Sequence, residues 1–107
     1  RYLFREDVAY DEAGVAKHVD ADARARLADY ADALHAAPGF DLEGVEALTQ
    51  AFLASRGLKF KHLAQPLRLA LTGRLQGAGL FETLTFFERD GAVARIRRAL
   101  AAWGSRG

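Results

Sequence analysis

Chemistry that needs a nucleophile, a general base or a bound metal has few groups to draw on here. The chain has three histidines, two serines and no cysteine in 107 residues. His18, His35 and His62 are scattered, and none has a second histidine four residues away, so a helical zinc pair is not expected. Ser55 and Ser105 have no base beside them, and the carboxylates of the first half fall at helix starts and on polar faces, where they cap and solvate. Gly73, Gly77 and Gly79 neither follow a strand nor lead into a Lys-Ser/Thr pair, so they do not read as a nucleotide loop. No catalytic residue and no metal ligand is assigned. The chain reads as a binding module.

What it binds is suggested by charge. Residues 1–46 carry eleven carboxylates against five cations. Residues 47–81 then carry Arg56, Lys59, Lys61, Arg68 and Arg74 with no acid at all, and residues 82–107 add five arginines against three acids. Mixed surfaces intersperse both signs, so a long acid-free stretch suits an anionic partner such as nucleic acid. Lysine and arginine neutralise phosphates, and the small residues of Leu-Gln-Gly-Ala-Gly at 75–79 let backbone approach bases closely. Arg68 stands out because it interrupts an apolar stripe two residues after Pro66. Two readings of it stand side by side: contact with nucleic acid, or an ion pair with the acidic half.

The elements that must position these residues are helical. Apolar residues recur at spacings of three and four, and no stretch alternates for long. Residues 1–10 read as an extended lead-in, and Asp11 to about Val19 as a short helix. Asp20 caps a longer helix through about Ala36 with Leu27, Tyr30, Ala31 and Leu34 inward, stopped by Pro38-Gly39. Asp41 caps the next, with Val45, Leu48 and Phe52 inward and Gly57 at its end. A fourth runs from about Lys59 to Leu71 with Phe60, Leu63, Leu67 and Leu71 inward. Pro66 is expected to kink or split it and so aim Arg68 outward. A fifth covers about Leu80 to Phe87. Asp90 caps a sixth with Val93, Ile96 and Leu100 inward. The fold class is all-α, a compact bundle of five to six short helices in one region, acidic over 1–57 and basic over 58–107.

Size and composition agree with a single folded region. Half of the residues are apolar, enough for a modest core. No apolar run approaches the ~20 residues of a membrane span, and the lack of cysteine fits a reducing compartment. The chain has no methionine, so a piece of a longer protein is expected.

The run QPLRLALTGRLQGAGLFETLTFF followed by VARIRRAL closely resembles the end of bacterial glutamyl-tRNA synthetases. There a Pro-Leu-Arg-x-Ala-Leu-Thr-Gly helix end precedes a short loop, a Gly-Leu-Phe-Glu helix start and a final arginine-rich helix. YLFREDVAYDEAGVAKHV is similar to the entry into that family's helical anticodon region. The resemblance covers nearly the whole chain, with its most specific part in residues 65–100. It implies the C-terminal anticodon-binding region of a class I aminoacyl-tRNA synthetase, cytoplasmic and monomeric, with the tRNA(Glu) anticodon loop as partner and no membrane.

From the resemblance, Arg68 reaches the first two anticodon bases, and Gly77, Ala78, Gly79 and Leu80 pack against them. Lys59, Lys61, Arg74, Arg97 and Arg98 become candidate phosphate contacts. No cofactor is expected in this region; ATP belongs to the catalytic domain, which is absent here, and the group sensing the last anticodon base should lie upstream of Arg1. One departure stands out: the family often has Ser- or Thr-Pro where this chain has Gly77-Ala78, so a rigid ring is lost from the loop. The alternative reading is a stand-alone helical adaptor for nucleic acid or protein.

Overall fold

Aspartate starts three helices, because its short carboxylate can take a backbone N–H that the first turn leaves without a partner. In the computed structural model, which describes residues 9–77 and 79–104, Asp11 accepts from Gly14 N–H at 2.9 Å and begins α1 (Glu12–His18). Asp20 accepts from Ala23 N–H at 2.8 Å ahead of α2 (Ala21–His35), and Asp41 from Gly44 N–H at 2.8 Å ahead of α3 (Leu42–Ser55). Helix α4 (Phe60–Thr72) starts differently: the backbone N–H of Lys59 donates to His62 Nδ1 at 3.0 Å. Gly57 at φ 65° follows α3, and Gly73 at φ 82° ends α4; both adopt the left-handed conformation that glycine reaches without a Cβ penalty.

The last element, α5 (Leu80–Gly104), is broken once, at Glu88, where φ is 64° and ψ 171°. Two helices meeting near this point were expected, with Asp90 as the cap of the second. The turn instead falls at Glu88, so Asp90 already lies in the first turn of the second arm. All described elements are helical, and none is long and apolar enough to cross a membrane. The extended lead-in expected over 1–10 lies mostly outside the described residues; Tyr10 packs edge-on against Trp103, with ring centroids 5.4 Å apart.

One core joins the acidic and basic halves of the chain. Leu27, Tyr30 and Leu34 of α2, Val45 and Phe52 of α3, Leu63 and Leu67 of α4, and Val93 and Ile96 of α5 are all buried in it. Leu48 and Leu100 are partly buried at its edge. Phe60 departs from the expected stripe: it sits at the first helical position and is 38% exposed, with one side of its ring against Phe81 of α5. At the centre, Thr49 Oγ1 donates to Val45 O at 2.8 Å, which uses its one hydrogen. The Tyr30 hydroxyl, 2.7 Å away, must therefore donate to Thr49.

Pro66 neither splits α4 nor ends it; the helix is continuous from Phe60 to Thr72. Proline has no N–H for the carbonyl four residues back, which is that of His62. That carbonyl receives Nη1 of Arg26 from α2 at 2.9 Å instead. A cation thus replaces the missing donor and ties α2 to α4. The expected role of Pro66 in aiming Arg68 by a break is therefore corrected: the proline opens an acceptor that a neighbouring helix fills.

Two outcomes follow from this packing. Arg26→Ala should cost about 1 kcal/mol in urea unfolding, and the loss should nearly vanish in a Pro66→Ala background, where residue 66 regains its own N–H. Equal losses in both backgrounds would disprove the substitution of donors. Burial also pushes the Tyr30 phenol up from 10.0 to about 12. The unfolded chain then releases this proton before the folded one does. The associated stability is whole below pH 10 and drains away as pH rises from about 10 to 12, by about 2–3 kcal/mol. Tyr30→Phe should flatten that alkaline slope in a pH series of unfolding curves.

Candidate nucleic-acid interface

The C-terminal half of α4 and the loop into α5 enclose a groove of about 260 Å³ lined by Arg68, Leu71, Thr72, Arg74, Gln76, Gly77, Leu80 and Thr83. A second compartment, about 550 Å³, continues along α4 and is lined by Phe60, Lys61, Ala64, Gln65, Arg68, Leu75, Gln76 and Gly77. Arg68, Gln76 and Gly77 belong to both, so they form the wall between them. On α4 the lining positions 61, 64, 65, 68, 71 and 72 fall at intervals of three and four, which is one face of a helix. The opposite stripe, through Leu63, Leu67 and Ala70, is buried. No carboxylate lines either compartment among the described residues.

Local hydrogen bonds set the shape of this groove. Thr72 Oγ1 donates to Arg68 O at 3.1 Å and accepts from Arg74 N–H at 3.3 Å, folding the chain back as Gly73 turns left-handed. The carbonyl of Gly73 then accepts from Asp11 N–H at 2.8 Å, which anchors α1 to the end of α4. On the far side, Gly79 O takes both Thr83 N–H at 2.9 Å and Thr83 Oγ1 at 2.8 Å, fixing the start of α5. Gly77 between them has φ 141°, a region nearly closed to residues with a Cβ. A serine or threonine there would be strained.

The structure brings Arg68, Gly77 and Leu80 together in the smaller compartment, with Arg74 beside them and Lys61 in the larger one. Arg68 is half-buried, while Lys61 and Arg74 are exposed. Gly79 is exposed just ahead of α5, and Ala78 lies outside the described residues. Three predicted phosphate contacts lie elsewhere. Lys59 is exposed ahead of α4 without lining the groove. Arg97 pairs with Asp32 at 3.0 Å. Arg98 is half-buried near Tyr10, whose phenol it holds down against the larger upward push of burial.

Other arginines serve the fold. Arg89 Nη2 donates to Ala37 O at 2.6 Å, and Arg95 Nη1 to Leu71 O at 2.8 Å. Arg56 lies 3.5 Å from Asp29 and stacks 4.3 Å over the Phe52 ring. Sequence reasoning missed Phe60, Gln65, Gln76 and Thr83 as lining residues. The intervals of three and four from Lys61 through Gln65 and Arg68 to Thr72 carried that information for α4, and the alternation Lys-Phe-Lys at 59–61 flagged an aromatic among cations.

Comparison with known proteins bears on this site. A glutamate–tRNA ligase of Geobacter sulfurreducens is 33% identical over 100 residues, covering 94% of this chain and 22% of its own length. One of Thermus thermophilus is 39% identical over 101 residues, covering 94% and 21%. The chain thus spans about a fifth of the length of these curated relatives. A solved structure of a glutamate tRNA ligase from Elizabethkingia meningosepticum, in complex with its amino acid, matches with a TM-score of 0.83 over 92% of this chain and 19% of that one. At 20% identity that likeness establishes the helical fold. The family described as anticodon binding domain matches residues 1–100, and the chain belongs to it.

Proposed function

We propose that this chain is the anticodon-binding region of a glutamate–tRNA ligase and holds the anticodon loop of tRNA(Glu) while other parts of the enzyme, outside this chain, use ATP to attach glutamate. On this reading the parent ligase works in the cytoplasm as a monomer. The observation that carries the reading is the meeting of Arg68, Gly77 and Leu80 in one groove with no carboxylate in its lining. Loop bases of tRNA are unstacked and present both faces and edges to a protein. Arg68 offers a planar fork of donors that suits the O2 acceptor carried by every pyrimidine in a glutamate anticodon. Leu80 offers an apolar surface to a base face, and Gly77 lets the backbone come close. Lys61 and Arg74 stand at the rim, where phosphates pass.

Arg68→Ala in the full-length ligase should lower kcat/KM for tRNA by about 1–3 kcal/mol in transition-state terms, with the melting temperature held. Early melting with normal charging would make Arg68 a structural residue instead. Binding of tRNA(Glu) by the ligase should also fall with salt, and Lys61→Ala and Arg74→Ala should each shallow the log–log slope by about 0.7 if the phosphate they meet lies in unpaired strand. Slopes unchanged in both variants would remove these cations from the interface.

A further inference from the structure

We infer that the compartment at the Phe60 end of the groove is a stacking subsite for one unpaired nucleobase, next along the RNA from the base held at Leu80. This rests on the anticodon reading above and adds to it a second base position with Phe60 as its platform. Phe60 occupies the first position of α4 and keeps 38% of its surface exposed, although the aliphatic residues spaced behind it, Leu63 and Leu67, are fully buried. Its ring centroid is 5.8 Å from that of Phe81 at a tilt of 42°. Phe81 directly follows Leu80, so one aromatic brace links the two compartments. The ring lines a space of about 550 Å³ whose other walls are Lys61, Ala64, Gln65, Arg68, Leu75, Gln76 and Gly77.

The lining chemistry selects the occupant. An exposed aromatic with an apolar floor at Ala64 and Leu75 accepts a flat π-face, and flanking cations at Lys61 and Arg68 favour a ligand that carries phosphate. The carboxamides of Gln65 and Gln76 each offer both donors and an acceptor, so they pair with the edge of any base. No carboxylate among the lining residues repels the backbone. Because stacking tolerates every base and the amides adapt, this subsite reads the presence of a base rather than its identity. Arg68 and Gly77, in the shared wall, separate it from the compartment at Leu80.

The experiment measures tRNA(Glu) affinity of the full-length protein, using transcripts in which each anticodon-loop nucleotide is made abasic in turn. Phe60→Ala and Phe60→Leu should weaken binding of intact tRNA about 5- to 150-fold, and Phe60→Tyr should retain it. At one loop position the abasic lesion should weaken wild-type binding to a similar degree yet add nothing to Phe60→Ala, whereas swapping that base for another should matter little. Additive losses at every position, or full affinity in Phe60→Ala while Arg68→Ala is impaired, would overturn the subsite and leave the anticodon reading intact. If the wild-type protein fails to bind tRNA(Glu), the anticodon reading falls and the subsite falls with it. Thermal melting of each variant separates a lost contact from a lost fold, since Phe60→Leu keeps the apolar volume that α4 needs.

Discussion

A helix leaves its last carbonyls without donors, and a proline leaves one more. In this bundle arginines from distant helices fill those places. Arg26 reaches the His62 carbonyl exposed by Pro66, Arg89 the Ala37 carbonyl after α2, and Arg95 the Leu71 carbonyl in the last turn of α4. Each places a positive charge at carbonyls turned outward by a helix end or a proline. At a C-terminus the partial negative charge of the helix strengthens the contact. These links join residues 24 to 52 positions apart, and two of them bear on α4, one near its start and one at its end. The position of α4 relative to the rest, and with it the groove, depends on them.

The groove follows from that placement. With α4 packed against α2 and α5, the face that lines the groove carries Lys61, Gln65, Arg68 and Thr72. Thr72 and Gly73 turn the chain tightly enough for the loop to come back beside Arg68. Thr83 ties Gly79 at the other end, which sets Leu80 as a buried edge facing the same space. Hydrogen bonds at Thr72 and Thr83 frame a short loop in which Gly77 takes the unusual torsion.

Charge is divided by the same geometry. Acids of α2 neutralise cations that lie away from the groove, Asp29 facing Arg56 and Asp32 facing Arg97. The excess positive charge of the second half is therefore not spread evenly over the surface. It gathers where Lys61, Arg68 and Arg74 line a space with no carboxylate among the described residues. Exposed pairs such as Arg97–Asp32 add little stability.

Local signals were plain in the chain itself. Aspartate caps act over three residues, glycine stops act at one, and buried stripes repeat every three or four, so α1 to α4 and most core positions were legible before any coordinates. The motif at 65–74 also pointed at Arg68, and with the small residues after it, at the loop that meets it. Packing decided the rest. Pro66 is tolerated because a donor arrives from α2, a partner 36 residues away that no local pattern names. Phe60 stays 38% exposed at the first position of α4, and the break in α5 falls at Glu88 rather than at Asp90, which neither the apolar spacing nor the cap residues announced. Arg97 turned to Asp32 while Lys61 lines the groove. Residue type sets what a long side chain can bind, but which partner it meets is chosen only when helices far apart in sequence come together.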